Sequence, residues 1–195
     1  MRHMPLLIFF ITLIVFSLTR TTLMFLTGME VLPPPLWPMI LIKGLWFDLL
    51  VSAVFASPVC LYEALVPTRW RSKGWHQKAG SLWLWGLLSF LLFVSVVEAA
   101  FWIEFSTRIN FIAVDYLLYT NEVIGDIHES YPLGWIFFSI SVVSAVAVRL
   151  LRPIARPLAA RPVSKRTRAR LIAVGLALPP LCFALGNIDQ MSPPV

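Results

Sequence analysis

Residues 81–105 read SLWLWGLLSFLLFVSVVEAAFWIEF. The run carries only Glu98 and, at its very end, Glu104 as charged groups. As a helix at about 1.5 Å per residue it is roughly 37 Å long, enough to cross a hydrocarbon core of about 30 Å. The rest of the chain is built the same way. Hydrophobic residues make up 58% of the 195 residues and charged residues 13%, and the mean hydropathy is +0.80. A soluble domain carries about 25% charged residues, so this chain cannot cover a globule of its size with polar surface. That excludes a water-soluble enzyme, a disordered chain and a nucleic-acid-binding domain. It predicts an all-α membrane protein.

Outward from this run lie four more apolar segments: 5–26, 37–65, 133–151 and 171–186. The first follows Arg2 and His3, as a signal peptide would, but it is long and no A-x-A-like cleavage site follows it. It is therefore read as an uncleaved span. The second is entered through Pro33, Pro34 and Pro35, and the fifth contains Pro179 and Pro180. The fifth is also short, at roughly 24 Å. Cys60 and Cys182 both fall inside apolar runs and read as small buried hydrophobes.

Lysine and arginine orient the five spans. The stretch 66–79 carries Arg69, Arg71, Lys73 and Lys78, and the stretch 149–170 carries eight basic residues. On the opposite side, 27–36 has none, 106–132 has only Arg108, and the tail 187–195 has none. The positive-inside rule then places the N-terminus in the cytoplasm and the C-terminus outside. The basic stretch 149–170 is interrupted by Pro153, Pro157 and Pro162, and it reads as a loop against anionic headgroups rather than a nucleic-acid patch. Trp37, Trp83, Trp85, Trp102 and Trp135 fall at predicted span ends, as an interfacial aromatic belt does.

Four ionisable residues stand within the spans proper: Arg20, Lys43, Asp48 and Glu98. Each costs about 2.5–3.5 kcal/mol at a helix centre, so they are expected to face one another or a wet cavity. Counted from the outer span ends, they lie roughly 9–17 Å deep. Arg20 is long enough to reach Asp48, and Glu98 can pair with Lys43 or Arg20. Two readings weigh evenly. One is a polar pocket for an anionic lipid headgroup, built on Arg20, Lys43, Asp48 and Glu98. The other is helix-to-helix glue. Gly44, four residues before Asp48, lets a neighbouring helix come close under either.

The outer segment 108–130 is not loop-like. Ile109, Ile112, Ala113, Tyr116, Thr120, Val123, Ile124 and Ile127 recur at helical spacing. Asp115, Glu122, Asp126 and Glu129 fall on another face. This predicts an interfacial amphipathic helix whose acidic stripe can dock a partner surface or a basic group. The group Asp126, His128, Glu129 matches no strong metal-ligand spacing.

The run FWIEFSTRINFIAVDYLLYTNEVIGDIHESYP, 101–132, resembles the membrane-embedded half of Gram-negative lipoteichoic-acid-synthase-like proteins, phosphoglycerol transferases of the alkaline phosphatase/sulfatase superfamily. KGLWFDLL, 43–50, following Arg20, looks like the Gly-x-x-Phe-Asp element of the same half. Ile109 stands where an aromatic is expected, and Asp126 where an amide is. The resemblance implies transfer of a phospholipid headgroup to an external glycan or lipid, with a threonine nucleophile and a divalent metal, Mn or Mg, in an external catalytic domain. That domain's nucleophile and ligands carry over to no residue here. This chain alone is therefore expected to be non-catalytic and to hold no cofactor. Its expected partners are anionic phospholipid and a separate sulfatase-like chain. The competing expectation is a free-standing integral membrane protein that binds a partner through its outer acidic helix. A small transporter ranks below both, since no inverted repeat of broken spans is visible.

Overall fold

Inside hydrocarbon every backbone polar group must be satisfied within the segment, so a long apolar run closes its own hydrogen bonds as a helix. A computed structural model describes residues 4–27, 34–71, 73–106, 125, 129 and 131–187. Among them are α1 (Met4–Thr27), α2 (Trp37–Leu65), the single turn α3 (Thr68–Arg71), α4 (Gly74–Phe105), α5 (Leu133–Ala160) and α6 (Lys165–Asn187). A 3-10 turn, Pro34–Leu36, leads into α2, and Pro38 sits in its first turn, where a missing N–H costs nothing. The five long helices are all long and apolar enough to cross a membrane. The chain is an all-α, multi-pass membrane protein.

The helices form a row in which α6 packs on α2, α2 on α1, α1 on α4 and α4 on α5. The apolar core lies toward the end of the helices that carries the basic residues. It joins Leu7, Ile8 and Ile11 of α1 to Val59 of α2, Leu84, Leu88 and Leu91 of α4, and Leu158 of α5. Large apolar side chains elsewhere point outward, with Trp135 72% and Phe183 74% exposed. In water that would be untenable; against lipid tails it costs nothing, and cohesion must come from close packing and polar contacts.

Small residues supply the close packing. Gly44, Asp48, Ser52, Ala56, Cys60 and Ala64 recur every fourth residue along α2, and all are buried. At Gly175 of α6 an added Cβ would come within 2.9 Å of the Leu61 side chain and 3.1 Å of the Ser57 carbonyl. The α2–α6 contact therefore requires a glycine there.

Three helices run past the expected span limits at the end carrying the basic residues, α6 starting at Lys165 rather than at 171. α4 begins at Gly74 rather than at 81, and α5 continues through Pro153 and Pro157 to Ala160 rather than stopping at 151. Hydropathy marks where lipid gives way to water, not where a backbone ladder stops. Each proline removes one hydrogen bond from its ladder, a loss that water can make good at the membrane boundary. The basic loop expected over 149–170 shrinks to residues 161–164. Ser164 closes it: its Oγ accepts from the Thr167 N–H at 3.2 Å, the geometry of a helix N-cap on α6.

Candidate functional site

Arg20 of α1 meets Asp48 of α2 as a fork. Nη2 donates to Oδ1 at 2.6 Å and Nε to Oδ2 at 3.2 Å. Ser17, one turn earlier on α1, donates to Oδ2 at 3.3 Å. The two side chains are 14% and 7% exposed. Gly44 makes the approach possible, because a Cβ there would overlap the Arg20 guanidinium. A bidentate pair of this kind combines charge with fixed geometry, and breaking one partner of a buried pair costs about 3–5 kcal/mol. On the other side of α1, the Thr19 hydroxyl donates to Ser95 Oγ of α4 at 2.8 Å. α1 is thus bonded to both neighbours at one depth.

The four intramembrane charges are treated differently. Arg20 and Asp48 close on each other. Glu98 is buried on α4, one turn beyond Ser95. Lys43 is exposed, among the exposed Leu41, Ile42 and Leu45. The expected four-membered pocket is therefore not assembled around Lys43. α6 ends beside α2 near Leu50, where Gly186 lies 4.0 Å from Leu50 Cδ1 measured from an added Cβ. Beyond that end α2 keeps Gly44 and Asp48 against α1 and leaves Lys43 exposed. The acidic-stripe residues Asp115, Glu122 and Asp126, with all of the segment 108–130 in which an interfacial helix is expected except 125 and 129, lie outside the described residues; Glu129 is described and exposed.

A second polar cluster sits at the opposite end of α2. Glu63 is 3% exposed and Arg71 2% exposed. Arg71 Nη1 lies 3.8 Å from Glu63 Oε1, its Nη2 donates to the Glu63 carbonyl, and Nη1 reaches the Arg161 carbonyl at 3.4 Å. The Met4 N–H donates to Glu63 Oε1 at 3.3 Å. Tyr62 and His76 stack and share a 2.8 Å hydrogen bond between Oη and Nε2. Burial pulls the Arg71 guanidinium below its ordinary pKa, and the nearby Glu63 carboxylate offsets part of that. It stays a cation at neutral pH. Arg168 of α6 completes the end, donating to the Ala64 carbonyl at 2.9 Å, the Val66 carbonyl at 3.0 Å and Thr68 Oγ1 at 3.3 Å.

Sequence reasoning missed this cluster. Besides the four charges expected to interact within the spans, Glu63 stands inside the apolar run 37–65. The signal was present: a lone carboxylate in an apolar run, followed within ten residues by Arg69 and Arg71. Trp85 also departs from its expected interfacial role, since its indole N–H donates to the Ser141 carbonyl of α5 at 3.1 Å and bonds two helices. Among the described residues no three His, Cys, Asp or Glu side chains gather as a metal site.

No family model, curated protein or solved structure matches the chain.

Proposed function

We propose that the chain is the membrane-anchoring and lipid-docking half of a phosphoglycerol-type transferase of a bacterial inner membrane, with its N-terminus cytoplasmic and its C-terminus periplasmic. The resemblance at 43–50 and 101–132 and the basic asymmetry of the loops support it. The observation that carries the docking role is the division of labour among the outer charges. Arg20 and Asp48 satisfy each other and hold α1 to α2, while Lys43 stands exposed beside them. A lysine at that depth can run its methylenes along apolar surface and lift its ammonium to the outer headgroups. Lys43 is then the contact for an anionic donor lipid, and Arg20 and Asp48 are its scaffold. The headgroup transfer itself, with its threonine nucleophile and divalent metal, belongs to a separate sulfatase-like catalytic domain. The described residues offer that metal no ligand set, so no step is assigned to one in this chain.

Cross-linking in the native membrane, affinity purification and mass spectrometry test this reading. Recovery of a sulfatase-fold polypeptide joined to the chain is the expected result. Recovery of other partners alone, cross-linked through 108–130, would overturn it and favour a free-standing membrane protein that docks through its outer acidic helix, on which Glu129 is exposed.

A further inference from the structure

The end of the bundle that carries the basic residues contains a cavity of about 460 Å³ between the first turn of α1, the last turns of α2, the start of α4 and Ala159 of α5. Its size falls within the range of small-molecule sites, about 300–1,000 Å³. Pro58, Val59, Ala79 and Trp83 give it apolar walls, and Tyr62, Glu63, Arg71 and His76 give it one polar corner. His76 is 5% exposed, and its Nδ1 is buried without a hydrogen-bond partner; the same holds for Nε of Arg71. Buried polar atoms without partners are uncommon, and these two border the cavity, where a polar group entering it can satisfy them.

A narrower cleft adjoins the cavity across Met4, Gly80 and Ala159. Arg152 and Arg156 of α5 line it, with Gln77 and Ser81 of α4 opposite. The two arginines are one turn apart on one helix face. Arg156 Nε is also buried without a partner. Cavity and cleft together thus hold three arginines against one carboxylate, next to an apolar chamber. That combination fits one kind of occupant, a molecule with an anionic head and an apolar tail.

We infer that this end holds a single anionic phospholipid from the leaflet on the basic side, its phosphate on Arg152 and Arg156 at the mouth of the cleft, whose interior has room for only about 30 Å³, and an acyl chain along the Val59–Trp83 groove. The site is remote from Lys43 and does not depend on the catalytic partner. Both ends of the bundle then engage lipid, one by an exposed cation and the other by an open groove.

Photolabelling of the full chain in nanodiscs tests it, using phosphatidylglycerol with a photoactivatable acyl chain and peptide mapping of the adducts. Adducts in 58–63 and 79–83 are expected. Each basic residue facing an anionic headgroup is worth roughly fivefold, so Arg152→Gln with Arg156→Gln should cut labelling there about 25-fold. Lys43→Gln should leave it unchanged, and an equal concentration of a phosphatidylcholine probe should label the site weakly. Ala79→Phe, which fills the chamber, should abolish labelling while the thermal midpoint in neutral detergent stays near that of the wild type. Adducts confined to outward faces such as Trp135 and Phe183, or equal labelling by phosphatidylcholine, would overturn the proposal. So would full protection by inorganic phosphate, which would mean a site for the free anion rather than the lipid. If Ala79→Phe misfolds, the arginine pair alone decides: labelling that survives its loss refutes the site.

Discussion

Arg20 and Asp48 can each be tolerated in the membrane only because the other is there. Removing one strands a charge in a low-dielectric interior, whereas removing both leaves only the lost packing. Arg20→Leu and Asp48→Leu should therefore each destabilise by about 3–5 kcal/mol, and the double variant should recover part of that, read as thermal midpoints in detergent. Strictly additive losses would contradict the pair. Gly44 belongs to the same unit, since a Cβ there meets the Arg20 guanidinium. Gly44→Ala should cost stability in the wild type and much less in an Arg20→Ala background, because substitutions that share a contact do not add. An equal cost in both backgrounds would mean that Gly44 serves α2 alone. At this scale the sequence showed a good deal. Arg20, Asp48 and Gly44 were legible because a charge in an apolar run demands a partner at a matching depth. Lys43 was not, because depth says nothing about azimuth: residues 43 and 44 share a depth, and only packing shows that Gly44 is buried against α1 and Lys43 exposed.

The C-terminal end of α2 shows how an element is finished by residues far away in sequence. Its last carbonyls have no partners within the helix. Arg71 and Arg168 supply them from α3 and α6, placing positive charge where the helix dipole is negative. Arg168 spans three acceptors with its planar fork, a geometry that a lysine ammonium cannot reproduce. Arg168→Lys should therefore cost roughly 1–3 kcal/mol despite keeping the charge, and hydrogen exchange at the end of α2 should quicken. A neutral result would reduce Arg168 to a loop cation of the positive-inside kind. The same arginines were read from the sequence only as orientation signals, because composition records a charge but not its hydrogen-bond partner. Helix ends were the other gap. The apolar runs located α1 and α2 almost to the residue, yet α4 and α5 run on through GWHQKAG and through Pro153 and Pro157. Polar helix beyond the lipid leaves no hydropathy signature.

For the molecule as a whole, the architecture was legible because one physical constraint dominates it. A chain with 13% charged residues and five apolar runs has few ways to satisfy its backbone other than five membrane helices. The order in which those helices pack was not legible, since it follows from small-residue contacts such as Gly175 on Ser57 rather than from hydrophobicity. Lipid docking makes its own demand at this scale. Phosphatidylglycerol in nanodiscs should raise the thermal midpoint above its value in phosphatidylcholine, because a ligand of the folded state stabilises it. Lys43→Gln should remove the outer share of that gain and Arg152→Gln with Arg156→Gln the rest; a gain unaffected by either would detach lipid binding from both ends. The outer docking role of Lys43 depends on which end of the bundle faces the cytoplasm. The direct measurement is a reporter active only outside the cytoplasm, fused at two positions in the full chain. Fused after Val195 it should be active, and inserted at Ser72 it should be silent. Activity at Ser72 with silence after Val195 would invert the bundle, put Lys43 in the cytoplasmic leaflet and contradict the account.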